Sequence, residues 1–409
     1  MEVARMSDCR SGFDEDLLAH AAPVAAASRS AHPAARYDFG VAYPDPDSLP
    51  LEQLAESLGE ELQRAGRSLA RYPHPLGYPP LREWLAARLA ATRGFSVEAD
   101  EIMLGSGSNE PNFLVAQALV NPGDVVLAEE FTYAGTLGFL RRFGADVRGV
   151  ACDTDGMLPD SLEYQIQAAI DEGRRPKALY TIPTFQNPLG FVESLPRRVA
   201  VTEITARYGV PVWEDDCYVD LNFDHPDLPP AVRSLDDSGR TIYVASFSKN
   251  IAPGMRMGYI TAAPALMDRI AAIKGTGGVS QFTAMAVHRF AQTGLDAHVK
   301  QARARLQAKR DALLAALDTH LGDRARWTRP AGGLFLFVQM LDGTDTVAAA
   351  ERAAARGVLF APGTHTAADG ASGRDRMRLC YGWNRPDEMD AAIAELAAAL
   401  QPEPAAVSR

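Results

Sequence analysis

Between residues 101 and 263, short apolar runs alternate with helix-patterned stretches, and this alternation constrains the fold more than any other feature of the chain. "EIMLG" precedes a helix beginning near Asn109, "VVLAEE" one near Tyr133, and "ADVRGV" leads to one at Asp160. "ALYTIP", "VPVWED", "TIYVAS" and "MGYITAA" are four further strands. Strands separated by helices make crossover connections, so the expected fold class is α/β, a large domain with a mostly parallel central sheet covered by helices on both faces. After a long charged helix over about 296–321 the rhythm changes. "LFLFVQM", "GVLFAPG" and "RMRLCYG" read as strands between fewer helices, which predicts a smaller α+β domain.

The remaining segments complete the plan. Residues 1–36 are Ala/Ser-rich and weakly patterned, as in a mobile leader. A Pro/Asp-rich lead-in segment, 37–50, is expected to pack with the small domain. Helical patterns follow at 51–72 and 79–93. The large domain then spans 51–295 and the small C-terminal one 296–409, a division that suits 409 residues.

Composition narrows the function classes. A net charge of −11 argues against nucleic acid and anionic membrane as partners. No apolar run approaches the roughly 20 residues of a spanning helix. The acidic N-terminus is unlike a signal or transit peptide, and Cys9, Cys152, Cys217 and Cys380 are scattered without a CxxC, so reduced thiols in the cytoplasm are expected. No histidine spacing suggests a metal site, and His288 and His298 read as helix-surface residues.

The chemistry gathers at strand ends. Lys249 follows "TIYVAS" and should project from the sheet edge where open α/β folds bind ligands; a solvated loop lysine is the plain alternative. Ser246, Ser248 and Arg256 share its loop and suit a phosphate. In "LGSGSNEPNF" a glycine-bearing turn opens a helix whose backbone N–H groups form an anion site. Glu110 stands where a dinucleotide fingerprint needs a small residue, and no GxxxxGK[ST] occurs. Ser108 and Asn109 are side-chain donors there, or helix caps.

"VPVWEDDCYVDL" places Asp215 at a strand end and Tyr218 three residues on. Its three consecutive acids suit a metal, a solvated turn, or one buried carboxylate facing a ring nitrogen. Asn187, in "YTIPTFQNPLG", suits a donor to a phenolate-like oxygen or a plain turn. Tyr133 suits stacking on a flat cofactor or a place in the core. Jointly these groups describe one ligand, with a phosphate, a protonated ring nitrogen, a phenolic oxygen and an aldehyde for Lys249: pyridoxal 5′-phosphate.

"SFSKNIAPGMRMGYI" together with "PTFQNPLG" resembles the fold-type I pyridoxal-phosphate enzymes of the class I/II aminotransferase family, in the style of its aminoadipate/kynurenine branch. The similarity covers roughly 38–400 and implies an aspartate aminotransferase-like fold. It further implies that Lys249 forms the Schiff base, Asp215 pairs with the pyridine nitrogen, and Tyr218 and Asn187 bond the ring oxygen. Tyr133 would stack on the ring, while Ser108, Asn109, Ser246, Ser248 and Arg256 would hold the phosphate. Tyr72, in "RYPHPLGYPPLREWL", matches the tyrosine that reaches the neighbouring subunit's phosphate, which implies a homodimer with shared sites. Arg378, in "MRLCYGW", matches the clamp for the substrate α-carboxylate, with Asn187 beside it.

Departures fall on the substrate side. Ala42-Tyr43-Pro44 lacks the usual glycine before the proline, in a segment where Ala42 borders the substrate. Asn109 replaces a glutamine, and the stretch around His365 lacks an aromatic. The expected reaction is transfer of an amino group between an α-amino acid and a 2-oxo acid. The alternatives are β/γ-replacement, cyclisation or oxidation on the same scaffold and, more remotely, a ligand-sensing regulator.

Overall fold

The computed structural model describes residues 35–275 and 277–401, so the mobile-leader expectation for 1–36, all but its last two residues, lies outside the described residues, as does Cys9. The lead-in segment begins with β1, Tyr37–Asp38, in parallel register with Val358–Leu359 of the C-terminal part. The large sheet contains β2 (Ile102–Gly105), β3 (Val125–Glu129) and β4 (Asp146–Val150), after which β5 (Cys152–Asp153) and β6 (Gly156–Met157) form a separate small hairpin. It continues with β7 (Ala178–Thr181), β8 (Val212–Asp215), β9 (Ile242–Ser246) and β10 (Gly258–Thr261). The strand order is β2-β10-β9-β8-β7-β3-β4. Only β10 runs against its neighbours, so six strands end at one edge while β10 begins there. Every residue of β2, β3, β7, β8, β9 and β10 is buried, which is why their sequences are continuous apolar runs rather than alternating ones.

The second sheet is antiparallel: β11 (Ala325–Trp327), β12 (Phe335–Met340), β15 (Arg376–Cys380) and β14 (Ala361–Pro362), in that order. The long charged helix is Leu295–His320. Among the described residues no helix is long and apolar enough to cross a membrane.

Three local expectations are corrected, and one choice left open by the sequence is narrowed. The helix expected over 51–72 ends at Ala65 and tightens into a 3-10 turn, because Gly66 weakens it and Ser68 Oγ donates to the Ala65 carbonyl at 2.7 Å. "GVLFAPG" is two short strands: β13 (Val358–Leu359) pairs with β1, whereas Ala361–Pro362 pairs with β15. A proline has no N–H for a ladder on both sides, so the run divides. His288 is buried rather than on a helix surface. Its helix, Gln281–Thr293, packs on both Leu51–Ala65 and Pro79–Arg93, which brings Nδ1 to 3.6 Å from Glu61. The three acids at 214–216 form neither a metal site nor a solvated turn. Glu214 accepts from the Val232 and Arg233 amides, Asp216 pairs with Arg93 at 2.7 Å, and only Asp215 faces the strand-edge cavity.

Candidate active site

The converging strand ends enclose a cavity of about 380 Å³ whose walls include Ser108, Asn109, Tyr133, Asp215, Tyr218, Ser248, Lys249, Arg256, Arg378 and Ala42. Asn187 and Ser246 stand one layer behind. Asn187 Nδ2 donates to the Tyr218 hydroxyl at 3.2 Å, and Ser246 Oγ donates to Ser248 Oγ at 2.8 Å. Tyr72 is not in these walls; it is 97% exposed.

Lys249 reaches the cavity from the end of β9, and its Nζ donates to the Ala42 carbonyl at 2.8 Å. Burial holds its amine below the ordinary lysine range, with Arg378 and Arg256 acting in the same sense. Asp215 ends β8. Its Oδ2 accepts from Asn112 Nδ2 at 2.8 Å and from the Tyr180 hydroxyl at 3.0 Å, whereas its buried Oδ1 has no partner among the described residues. Burial pushes this carboxyl up, and the hydrogen bonds around it oppose that rise. Tyr133 follows β3 and donates to Asn109 Oδ1 at 3.0 Å.

Ser108 precedes the helix Asn109–Leu119 and makes no capping bond, so its hydroxyl is not spent on the helix. Gly107, at φ +68°, lets Arg256 lie against the turn. A Cβ there would come within 2.6 Å of Arg256 Nη2, which donates to the Ser106 carbonyl at 2.7 Å. Arg256 itself holds a left-handed φ of +47°, a conformation costing on the order of 1–2 kcal/mol in an ordinary residue.

Arg378 comes from β15 of the second sheet. Nη1 donates to Asn187 Oδ1 at 3.1 Å and Nη2 to the Gly40 carbonyl at 2.5 Å, while the buried Nε has no partner among the described residues. The segment Gly40–Tyr43 therefore forms part of the cavity wall, held to Arg378 and Lys249 through backbone oxygens. Sequence reasoning missed Asn112, Tyr180, Gly40 and Cys217, which also line or brace the site. Asn112 had a signal, since it lies one helical turn beyond Asn109. The other three had none. Among the described residues no cluster of three or more His, Cys, Asp or Glu side chains could hold a metal.

The family model "Aminotransferase class I and II" matches residues 41–396. The chain belongs to this family. It is 30% identical over 363 residues to "Aromatic-amino-acid aminotransferase 1" of Thermococcus litoralis, covering 88% of this chain and 87% of that one. A kynurenine aminotransferase of Pyrococcus horikoshii, solved with PMP, superposes with a TM-score of 0.83 at 30% identity, covering 89% and 90% of the two chains. An α-aminoadipate aminotransferase of Thermus thermophilus, complexed with N-(5′-phosphopyridoxyl)-L-leucine, gives 0.81 at 28%, covering 89% and 91%. These findings favour transamination over the replacement, cyclisation, oxidation and sensing alternatives.

The protein is thus a pyridoxal-phosphate-dependent aminotransferase whose substrates are amino and 2-oxo acids. Its residues fit the cofactor. The unpartnered Asp215 Oδ1 suits a protonated ring nitrogen, and the Ser108 and Ser248 hydroxyls with Arg256 suit a phosphate.

Proposed function

We propose that Lys249 carries the cofactor and moves the proton at the substrate Cα. The observation behind this reading is the shared cavity, in which Lys249 stands among Asp215, Tyr218, Arg256 and Arg378. Bound there, the cofactor supplies the electron sink for the pair left when Cα loses its proton. Because burial depresses its amine, Lys249 Nζ sheds its own proton at lower pH than an exposed lysine and can accept one from Cα.

Asp215 Oδ1 holds the ring nitrogen charged, with Asn112 and Tyr180 fixing the carboxylate plane. Tyr218, supported by Asn187, bonds the ring oxygen, and Tyr133 stacks on the ring. Ser108, Asn109, Ser248 and Arg256 hold the phosphate, and Ser246 orients Ser248. Arg378 binds the α-carboxylate, its plane set by Asn187 and the Gly40 carbonyl, with Ala42 bordering the substrate.

The apolar and aromatic side chains Val41, Tyr43 and Ile182 also line the cavity. Among the described residues, the cations in the walls are Lys249, Arg256 and Arg378, all assigned above. An apolar or aromatic donor fits better than an acidic one; a higher kcat/KM for aspartate than for phenylalanine would reverse this. Exposure of Tyr72 between two helices supports its reaching a second copy's phosphate in a two-fold dimer. A monomeric mass for the active enzyme would remove it from the site. The free thiols Cys152, Cys217 and Cys380 support a cytoplasmic location.

Lys249→Ala tests the core of this reading. The variant should fold, fix no cofactor under borohydride, and turn over on the order of 10³-fold more slowly. Covalent fixation that persists would pass the role to another lysine.

A further inference from the structure

Behind the turn that carries Asn187, on the outer side of the molecule, lies a second cavity of about 570 Å³. Four charged side chains line it, Glu130, Asp153, Arg329 and Arg376, together with Leu189, Phe191, Trp327 and Pro330. Two of the charges are spent elsewhere: Asp153 pairs with Arg197 at 2.7 Å and Arg329 with Asp318 at 2.8 Å. The other two are not. Arg376 makes no side-chain hydrogen bond among the described residues; it lies over the Phe131 ring at 4.9 Å, and the nearest carboxylate oxygen, on Asp375, is 3.8 Å away. Among the described residues the Glu130 side chain accepts only a long bond, from the Cys152 amide at 3.3 Å. In the same lining, Trp327 Nε1 is buried with no acceptor among the described residues.

A buried indole N–H is normally paired. Here it stands with an uncommitted guanidinium, a carboxylate of opposite sign and an apolar floor of Leu189, Phe191 and Pro330. That set matches a zwitterion bearing an apolar side chain. We propose that this cavity binds a free α-amino acid, its carboxylate on Arg376 and Trp327 Nε1, its ammonium on Glu130, and its side chain along Leu189 and Phe191.

Two connections run from this cavity to the active site. The turn Gln186–Phe191 is closed by the Gly190 amide donating to the Gln186 carbonyl at 2.7 Å and the Leu189 amide donating to Gln186 Oε1 at 2.7 Å. Its Leu189 and Phe191 face the outer cavity, while Asn187 holds Tyr218 and Arg378. Arg376 and Arg378 lie two residues apart on β15, hence on one face of that strand. An amino acid on Arg376 therefore biases the strand and the turn that orient the Arg378 guanidinium, and linkage makes the effect reciprocal. This coupling rests on the clamp role proposed above for Arg378; binding in the outer cavity does not.

Borohydride-reduced holoenzyme, whose active site no longer reacts, separates the two. L-Phenylalanine should bind it saturably by calorimetry and change its tryptophan fluorescence. R376Q and W327F should each weaken that binding at least tenfold while leaving kcat of the unreduced enzyme within about twofold. 3-Phenylpropanoate, which lacks the ammonium, should bind native protein more weakly than phenylalanine, and the difference should vanish in E130Q. No saturable binding, or binding indifferent to both R376Q and W327F, would overturn the site. Equal affinity for 3-phenylpropanoate would make it a plain carboxylate site and overturn the amino-acid assignment. For the coupling, D-phenylalanine should shift the donor KM of native enzyme at least twofold and not that of R376Q; an unmoved KM in native enzyme would overturn it.

Discussion

The two walls of the active-site cavity are built differently. The wall assigned to the cofactor is made of side chains at the ends of adjacent strands, each braced by buried neighbours: Asp215 by Asn112 and Tyr180, Ser248 by Ser246, Arg256 by the turn at Gly107. The wall assigned to the substrate is assembled from Gly40–Tyr43, Asn187 and Arg378, joined through two backbone carbonyls and one amide. The first is a property of one sheet edge. The second exists only when segments from opposite ends of the chain meet. Changes to the first wall should therefore act on cofactor chemistry with the donor's KM intact, and changes to the second should do the reverse.

The largest effect that tests this contrast is expected from Asp215→Asn. An ion pair at about 4 Å contributes on the order of 4 kcal/mol at an effective dielectric of 20, which corresponds to about 10³-fold in rate. Cofactor should still bind, and donor KM should hardly move. Near-native kcat in this variant would detach Asp215 from the ring nitrogen. Next is Arg378→Leu. Loss of a charge-assisted pair at about 1.5–3 kcal/mol should raise KM about 10–100-fold for every amino donor while cofactor affinity stays level. A KM unchanged across donors would place the carboxylate clamp elsewhere.

Gly107→Ala is expected to be milder and to fall on the cofactor wall alone. The left-handed φ and the 2.6 Å approach to Arg256 Nη2 should loosen the phosphate cradle, weakening cofactor binding about tenfold. A shift in donor KM instead would blur the distinction between the walls.

The local motifs of the cofactor wall were readable because each strand is a continuous apolar run and each functional group sits within a few residues of its end. The opposite wall was readable only through family resemblance. Nothing near Gly40 or Ala42 in sequence signals that their carbonyls meet Arg378 and Lys249, because those contacts depend on tertiary closure. The division of 357–363 between two sheets and the burial of His288 escaped for the same reason: partners far along the chain decide both. Of the acids at 214–216, spacing could not choose one, since the Val232 and Arg233 amides and the Arg93 side chain claim the other two.

The smallest expected effect links the walls. Arg378 helps to depress the Lys249 amine, so Arg378→Leu should raise the pH midpoint at which apoenzyme Lys249 reacts with an acylating reagent. The native midpoint should lie below the ordinary lysine value of about 10.4. With the folded pKa lowered, the unfolded chain binds more protons, so the Lys249 contribution to apoenzyme stability grows as pH rises from that depressed value toward about 10.4. A reactivity midpoint identical in both proteins would show that the two walls do not communicate through charge.

Gly382 follows the strand that carries Arg378, and a Cβ on it would lie 1.9 Å from the Tyr43 carbonyl oxygen. It has no side chain to offer a ligand, yet the path of Gly40–Tyr43 along the cavity wall depends on its emptiness. In a saturation library, substitutions at 382 would score as chemical failures although every reacting group was intact. A designer enlarging the pocket for a bulkier donor would meet the same obstacle, because the Gly40–Tyr43 segment can be rerouted only if position 382 is redesigned along with it.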